Sequence, residues 1–261
     1  MPNRLALSVI PLTIVMVALL LWIANRGVPA PESVTPDFGA ISSDVKTKKR
    51  TFFAYLLPLV QQANKDIKQE RAAFLTVSKR LEHKRPLTAK QTETIRLLAK
   101  KYRVTADDPL SANAMTLLDR RIDSIPASLA LAQAANESGW GTARFAVKGN
   151  NYFGLWCWSS DCGLVPNERK KGASHEVSTF KTPVDSVKNY MLTLNSHPAY
   201  KKLRDLRLEA RNNHTPLAGA RLAGGLLSYS ELGEAYIEEL RAMIRINNLS
   251  QFDQANLDPA P

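Results

Sequence analysis

Residues 126–141 read PASLALAQAANESGWG, and this stretch decides the fold. Proline is well tolerated in the first turn of an α-helix, and the small apolar residues after it suit a helix that is buried on most sides. Gly139 and Gly141 end this pattern, since glycine is favoured just beyond a helix C-terminus. The stretch therefore predicts a central helix with Glu137 at its C-terminal end.

Glu137 is a candidate catalytic residue by its position alone. The helix macrodipole disfavours a carboxylate at the C-terminal end of a helix, and burial disfavours the charged form further. Both effects favour the protonated carboxyl that a general acid must hold near pH 7. A surface glutamate in a frayed last turn fits the same position equally well.

Aromatic and amide side chains follow Glu137 closely along the chain. Flat rings with a few amide groups are typical of a carbohydrate-binding cleft. An aromatic core beneath a β-hairpin is the alternative interpretation of the same rings. The residues concerned are Trp140, Asn150, Asn151, Tyr152, Phe153, Trp156 and Trp158.

The N-terminal segment is strongly apolar. Residues 5–24 carry no charge, and 20 helical residues at about 1.5 Å each reach the roughly 30 Å of a bilayer core. We expect an uncleaved transmembrane anchor over residues 1–26, with a cleaved signal peptide as the alternative. Either one exports the rest of the chain. The expected location is the inner membrane, single-pass, with the catalytic domain on the periplasmic side.

The remainder is predicted to be helical with one interruption. Apolar residues recur at helical spacing from Thr51, and Pro58 predicts a kink or a restart. Residues 153–180 break this spacing and predict a small β-hairpin lobe. Helices resume at Thr182, where a variant capping box begins. The predicted segments are a linker (27–50), a helical N-terminal region (51–122), a catalytic domain (123–250) and a tail (251–261).

Charge and cysteine content narrow the class of protein. The chain has 35 Lys and Arg against 24 Asp and Glu, a net charge of +11. The basic stretch 79–103 is interpreted as a solvated helix face, because an exported protein has little access to nucleic acid; attraction to an anionic wall polymer or lipid surface is the milder alternative. We expect no nucleic-acid partner, and protein partners are not indicated.

Cys157 and Cys162 lie five positions apart. In an oxidising compartment this spacing predicts a small-loop disulfide, with two free thiols as the alternative. The four histidines show no ligand-like spacing to the cysteines or to one another, so no metal site is predicted. No phosphate-binding loop or other cofactor motif occurs, and we expect no cofactor.

Two motifs, in order, resemble a known family. Residues 136–141 (NESGWG) and 149–154 (GNNYFG) are similar to glycoside hydrolase family seventy-three, which contains the glucosaminidase domains of bacterial autolysins. The resemblance covers about residues 120–247. With the helical region from residue 51, the chain resembles the Bax-type glucosaminidase proteins.

The resemblance implies a mainly α, lysozyme-like helical domain with a small β-hairpin lobe. Glu137 matches the general acid of the family, and Tyr229 matches a tyrosine placed beside it. The second carboxylate is expected at Glu176, with Glu168 and Asp161 as alternatives. The expected substrate-binding residues are Trp140, Asn151, Tyr152, Phe153, Trp156 and Tyr190.

The expected activity is that of an N-acetylglucosaminidase acting on the glycan strands of peptidoglycan. Two carboxylates about 6.5–9.5 Å apart would activate a water between them and invert the anomeric centre. Without a close second carboxylate, the acetamido group of the substrate would assist and retain it. The alternatives are a lytic transglycosylase on the same fold and a membrane-tethered wall-binding protein that has lost its activity.

Overall fold

The structure is a computed structural model that describes residues 35–41, 44–167, 169 and 172–253. Across these ranges no helix combines the length and the apolar character needed to cross a membrane. The anchor predicted over residues 1–26 lies outside the described residues, and so does Glu168. From Asp37 onward the described residues form one compact unit.

A long first helix, α1 (Val45–Glu82), begins inside the predicted linker. Asp44 starts it by accepting a hydrogen bond from the Lys46 N–H at 2.9 Å, so the basic residues after it are helical. The linker prediction over 27–50 therefore extends too far. The helix also continues through Pro58 without restarting, because a long buried face compensates for the one lost backbone hydrogen bond.

The other two helices of the N-terminal region are α2 (Ala89–Lys101) and α3 (Ala112–Arg121), and both lie in the region predicted to be helical. Thr88 and Gln91 form a capping box at the start of α2. Helix α1 packs against the central helix α4 (Ala127–Glu137) and against α6 (Pro183–Ser196). The region therefore forms part of the same core as the helix that carries Glu137.

Helix α4 lies at the centre of the unit. Residues 127–135 are buried without exception, and their small side chains allow neighbouring helices to approach closely. Asp253 covers its N-terminal end: its carboxylate accepts from the Ser128 N–H at 2.8 Å and from the Gly219 N–H at 3.1 Å. Asp253 thus links the start of α4 to Gly219, at the end of the helix opposite Glu137.

A short helix, α5 (Arg144–Gly149), leads into the predicted β-lobe. The lobe is a three-stranded antiparallel sheet in the order β1-β3-β2, which places the last strand in the middle. Cys157 of the first strand pairs with Glu176, and Leu164 of the second pairs with Val177. The strands are β1 (Trp156–Cys157), β2 (Gly163–Leu164) and β3 (Glu176–Ser178).

Helices resume at α6, where Thr182 and Asp185 form the predicted capping box. The last helix begins at Glu234, because Gly233 turns the chain with φ of +54°. In the segment before it, Ser230 accepts from the Leu232 N–H at 3.3 Å. The remaining elements are α7 (Lys201–Asn212), α8 (Gly219–Leu222), α9 (Glu234–Ile246) and 3₁₀ turns at Pro198–Tyr200, Ala223–Gly225 and Leu249–Phe252.

Candidate active site

Glu137 is the last residue of α4, and its side chain is half-buried. Tyr236 of α9 donates a hydrogen bond to its Oε1 at 2.7 Å. Its Oε2 lies beside Gly154, where the Cβ of any larger residue would come within 3.5 Å. The two carboxyl oxygens therefore have different surroundings: Oε1 accepts from Tyr236, and Oε2 lies next to a backbone without a side chain.

The electrostatics of the site favour the protonated form of Glu137. Burial raises the pKa of its carboxyl, hydrogen bonds from Tyr236 and Asn136 lower it, and the nearby Glu239 carboxylate raises it again. Burial is the largest of these effects, and the resulting pKa lies above the ordinary value for glutamate. Such a carboxyl retains its proton to a higher pH, as a general acid must.

Tyr229 lies beside this pair without bonding to Glu137. Its ring stacks parallel to that of Tyr236, with centroids 5.7 Å apart. Its hydroxyl donates to the Phe153 carbonyl at 2.8 Å. The tyrosine that bonds the candidate acid is therefore Tyr236, which the sequence analysis did not single out.

Four of the six predicted substrate-binding residues are buried: Asn151, Tyr152, Phe153 and Tyr190 are each at most 2% exposed. Phe153 stacks on Tyr190 with centroids 4.0 Å apart. Asn151 donates to the Leu155 and Ser178 carbonyls, both at 2.9 Å, and accepts from two N–H groups of the turn. These side chains cannot reach a sugar from solvent. The burial of the three rings fits the alternative interpretation, an aromatic core beneath the β-lobe.

The three tryptophans near the site have different surroundings. Trp140 is partly buried against Phe53 of α1, at 5.3 Å between centroids, with the Lys49 ammonium 4.9 Å from its ring. Trp156 and Trp158 are 55% and 68% exposed. Of the residues predicted to bind substrate, Trp156 is therefore the one that presents a large open ring to solvent.

Glu176, the expected second carboxylate, is buried in the β-lobe. Its Oε2 accepts from the Gly163 N–H at 2.8 Å, and its Oε1 accepts from the Asp161 N–H at 3.3 Å. Cys157 and Cys162 form the disulfide considered above, with Cα atoms 6.2 Å apart, and their sulfurs lie near this carboxylate. Oε1 of Glu176 thus binds the backbone of the disulfide loop and Oε2 binds the first residue of β2, and its catalytic role stays a prediction.

Comparison with known proteins identifies the family. The sequence profile of the glucosaminidase family, described as mannosyl-glycoprotein endo-beta-N-acetylglucosaminidase, matches residues 112–249. Protein bax of Escherichia coli (strain K12) is 30% identical over 218 residues, which cover 84% of this chain and 76% of that protein. The chain belongs to the glucosaminidase family.

Membership of the glucosaminidases, glycoside hydrolase family seventy-three, makes the protein a glycoside hydrolase. The family match begins at the first residue of α3 and contains Glu137, Tyr236 and the whole β-lobe. A solved structure, the catalytic domain of the autolysin Auto from Listeria monocytogenes, aligns over 94% of this chain and 99% of that chain, with a TM-score of 0.43 and 15% identity.

Two residues of this glucosaminidase site were missed by the sequence analysis. Gln133 lies four residues before Glu137, and this spacing places both on one face of α4. A polar side chain in an otherwise small and apolar helix was the available signal. The other residue, Tyr236, lies 99 positions from Glu137, and no local pattern connects them.

Proposed function

We propose that this glucosaminidase hydrolyses the glycan strand of peptidoglycan at β-1,4 linkages between N-acetylglucosamine and N-acetylmuramic acid, with Glu137 as the general acid. The observation that carries the proposal is the half-buried Glu137 carboxyl, whose pKa is raised by burial and which is held by Tyr236. The similarity of NESGWG and GNNYFG to autolysin glucosaminidase domains supports peptidoglycan as the substrate.

In the proposed reaction Glu137 gives its proton to the glycosidic oxygen while the bond from that oxygen to C1 breaks. The leaving sugar departs as an alcohol, and Glu137 becomes a carboxylate. Because both oxygens of Glu176 bind backbone N–H groups, we expect the acetamido oxygen of the substrate to attack C1. Water then opens the cyclic intermediate and returns a proton to Glu137, so the anomeric configuration is retained.

The exposed rings of Trp156 and Trp158 support glycan binding on the β-lobe. Their centroids are 6.4 Å apart at a steep angle, and His175 stacks on Trp156 at 4.2 Å, which fixes the plane of that ring. Apolar faces of sugar rings pack on such surfaces, and aromatic rings supply large contact areas at low entropic cost. We propose Trp156 and its neighbour Trp158 as substrate contacts.

We further propose that the enzyme acts outside the cytoplasm while anchored to the inner membrane. The uncharged segment 5–24 supports this location, since its length matches a bilayer core. A protein held in this way would reach the peptidoglycan strands nearest the membrane. Fractionation of cells and alkaline washing of the membranes would test the anchor directly.

The decisive experiment is mass spectrometry of the soluble products of purified peptidoglycan, digested by the detergent-solubilised full chain. The matched control is Glu137→Gln, which keeps the shape of the side chain and removes the acid. We expect reducing N-acetylglucosamine ends that are absent with the variant. Undiminished release by Glu137→Gln, or binding of the wall without any release by the wild type, would refute the proposal.

A lytic transglycosylase is the second candidate, and one observation favours it. That reaction requires a single acid, and the structure leaves Glu137 as the candidate acid while Glu176 is held by the disulfide loop. The same digestion separates the two reactions, because a transglycosylase leaves anhydro-muramic ends. If such ends were found, the assigned reaction would be transglycosylation and not hydrolysis, with Glu137 still as the acid.

A further inference from the structure

We propose that Gln133 and Tyr236 are positioning residues that keep the acidic proton of Glu137 on Oε2. The inference rests on the proposed function, because it concerns the proton that the reaction consumes. It adds two residues that act through Glu137 and assigns the proton to one of its two oxygens.

Three buried side chains form a chain of hydrogen bonds that ends at Glu137. The Tyr190 hydroxyl donates to Gln133 Oε1 at 2.6 Å, and Gln133 Nε2 donates to the Tyr236 hydroxyl at 2.9 Å. The Tyr236 hydroxyl then donates to Glu137 Oε1 at 2.7 Å. The side chains of Tyr190, Gln133 and Tyr236 are at most 1% exposed, so water does not compete for these bonds.

The direction of this chain follows from the chemistry of its groups. An amide oxygen only accepts, an amide nitrogen only donates, and a phenol has a single hydrogen. Because Gln133 Nε2 donates to the Tyr236 oxygen, the one hydrogen of Tyr236 is available to Glu137. The structure places the amide with Oε1 toward Tyr190 and Nε2 toward Tyr236. With the amide reversed, Tyr236 would donate to Gln133 Oε1 and would have no hydrogen left for the carboxylate.

The orientation distinguishes the two oxygens of Glu137. Oε1 accepts the hydrogen of Tyr236, and a proton on Oε1 would make that oxygen a weaker acceptor for this bond. Oε2 lies next to Gly154, which has φ of +64° and no side chain to cover it. The proton is therefore held on Oε2, the oxygen that Tyr236 does not bond.

Several titratable groups surround the Glu137 carboxyl, and they come from different elements. Tyr236 and Glu239 belong to α9, and Tyr190 belongs to α6, while Tyr200 and Tyr229 lie in the connecting segments. Burial raises the pKa of all four tyrosines, that of Tyr200 to about 12, so their hydroxyls stay protonated while Glu137 titrates. Glu239 is therefore the neighbour whose negative charge raises the pKa of Glu137 in addition to burial.

The test compares Tyr236→Phe and Gln133→Glu in the full chain. Removing the Tyr236 hydroxyl removes a donor to the carboxylate, so the pKa of Glu137 should rise. In Gln133→Glu the new side chain accepts the Tyr236 hydrogen, which should have the same effect with Tyr236 intact. We expect the alkaline limb of kcat/KM to move to higher pH in both variants. We also expect kcat to fall about tenfold with little change in KM.

Tyr102→Phe is the matched control. Tyr102 is also buried, and its hydroxyl also donates to a glutamate, Glu70 Oε2, at 2.7 Å, but it lies in the helical N-terminal region. This variant should lower stability without moving the pH profile. A merely structural role for Tyr236 predicts the same behaviour, so the comparison separates positioning from packing.

Carbon-13 NMR titration of the Glu137 carboxyl gives a second readout that does not need turnover. It shows a rise in the pKa of Glu137 even if activity is too low to measure. If Gln133→Glu does not fold, the pKa of Glu137 in Tyr236→Phe alone tests the inference. An unchanged or lowered pKa of Glu137 in Tyr236→Phe would overturn the inference. Failure of the proposed function is a separate result, since it would appear as undiminished product release by Glu137→Gln.

Discussion

At Glu137 the needs of catalysis oppose those of stability. Burial raises the pKa of this carboxyl above its value in the unfolded chain. At a pH below the unfolded pKa, both the folded and the unfolded chain hold the proton, and the residue does not lower the free energy of unfolding. As the pH rises, the unfolded chain releases its proton first, so stability falls until the folded pKa is passed. At neutral pH the residue that performs the proposed chemistry therefore lowers the free energy of unfolding of the enzyme.

Glu137→Gln should therefore raise the melting temperature at neutral pH while it abolishes activity. Glutamine resembles the protonated carboxyl and can still accept the hydrogen of Tyr236. The increase in melting temperature should be smaller at pH 4, where the wild-type carboxyl is protonated in both the folded and the unfolded chain. Differential scanning calorimetry at pH 4 and pH 7.5 measures this. A variant that is less stable than the wild type at pH 7.5 would contradict it.

Gly154→Ala should reduce both stability and activity. The residue has φ of +64°, a conformation that costs a residue with a Cβ about 1–2 kcal/mol. The new methyl group would also lie 3.5 Å from Glu137 Oε2 and crowd the proton that we assign to it. Chemical denaturation and kcat measure the two effects. Full activity at a temperature where the variant is folded would argue against the assignment of the proton.

At this scale the sequence made Glu137 a candidate acid but did not predict the residues that bind it. The end of a small-residue helix followed by two glycines drew attention to Glu137, and a surface glutamate fitted the same pattern. Tyr236 lies 99 residues away and Tyr190 lies 57 residues from Gln133, so their hydrogen bonds exist only after α4, α6 and α9 have packed. Motif spacing contains no information about such contacts.

Among the elements, the β-lobe depends most on side chains. Its strands contain two or three residues, and sheets this short are marginal by themselves. Asn151 binds the backbone of the turn before β1 and of the end of β3, Glu176 binds the loop between β1 and β2, and a disulfide closes that loop. These contacts hold Trp156 and Trp158 in place on the surface.

Glu176→Gln should destabilise the lobe, because the glutamine amide nitrogen would face a backbone N–H. We expect a loss of about 1–3 kcal/mol, the cost of an unsatisfied buried group. Urea denaturation measures it, and the digestion assay below the unfolding transition measures activity. Nearly full activity would mean that Glu176 has a structural role and not a catalytic one. A loss of activity of a hundredfold or more in the folded variant would restore it as the second carboxylate.

The sequence predicted whether most elements are helices or strands better than the residues at which they begin and end. The lobe was expected from a break in helical spacing, but its strand order depends on the close approach of β2 to β3 at Gly163, where a side chain would collide with the Val177 carbonyl. Helix α1 begins at Val45, because the cap at Asp44 lies inside a stretch that looked like a linker. Propensity does not show where a cap will form.

On a larger scale, the start of the compact unit, just after Asp37, belongs to its core. Phe38 is 2% exposed and packs against Phe52 and Tyr55 of α1, at 5.4 and 5.8 Å between ring centroids. Its ring also occupies the space where a side chain at Gly141 would lie. Gly141 ends the motif that begins at Asn136, so the start of the unit supports the loop that follows Glu137.

Phe38→Ala should therefore cost about 3–5 kcal/mol, the range for removing a buried phenylalanine ring. Gly141→Ala should also destabilise the unit, because its methyl group would collide with that ring and its φ is +80°. The double variant should lose less than the sum of the two single losses, since removing the ring opens the space. Chemical denaturation of the four proteins tests this, and strict additivity would contradict the contact.

The helical N-terminal region and the predicted catalytic domain share one core. The basic residues of stretch 79–103 lie on a solvated face, and helix α1 also buries Phe52, Leu56 and Val60. The family match starts at residue 112, while the aromatic packing of Trp140 involves Phe53 of α1. Sequence similarity and physical domain boundaries therefore differ here.

The cap on α4 has a consequence for biosynthesis. A chain emerges from the ribosome, or from an export channel, with its N-terminus first. Asp253, which binds the first turn of α4 through Ser128, follows every helix and strand of the described unit. The cap of the helix that carries Glu137 therefore forms only after synthesis has passed that aspartate.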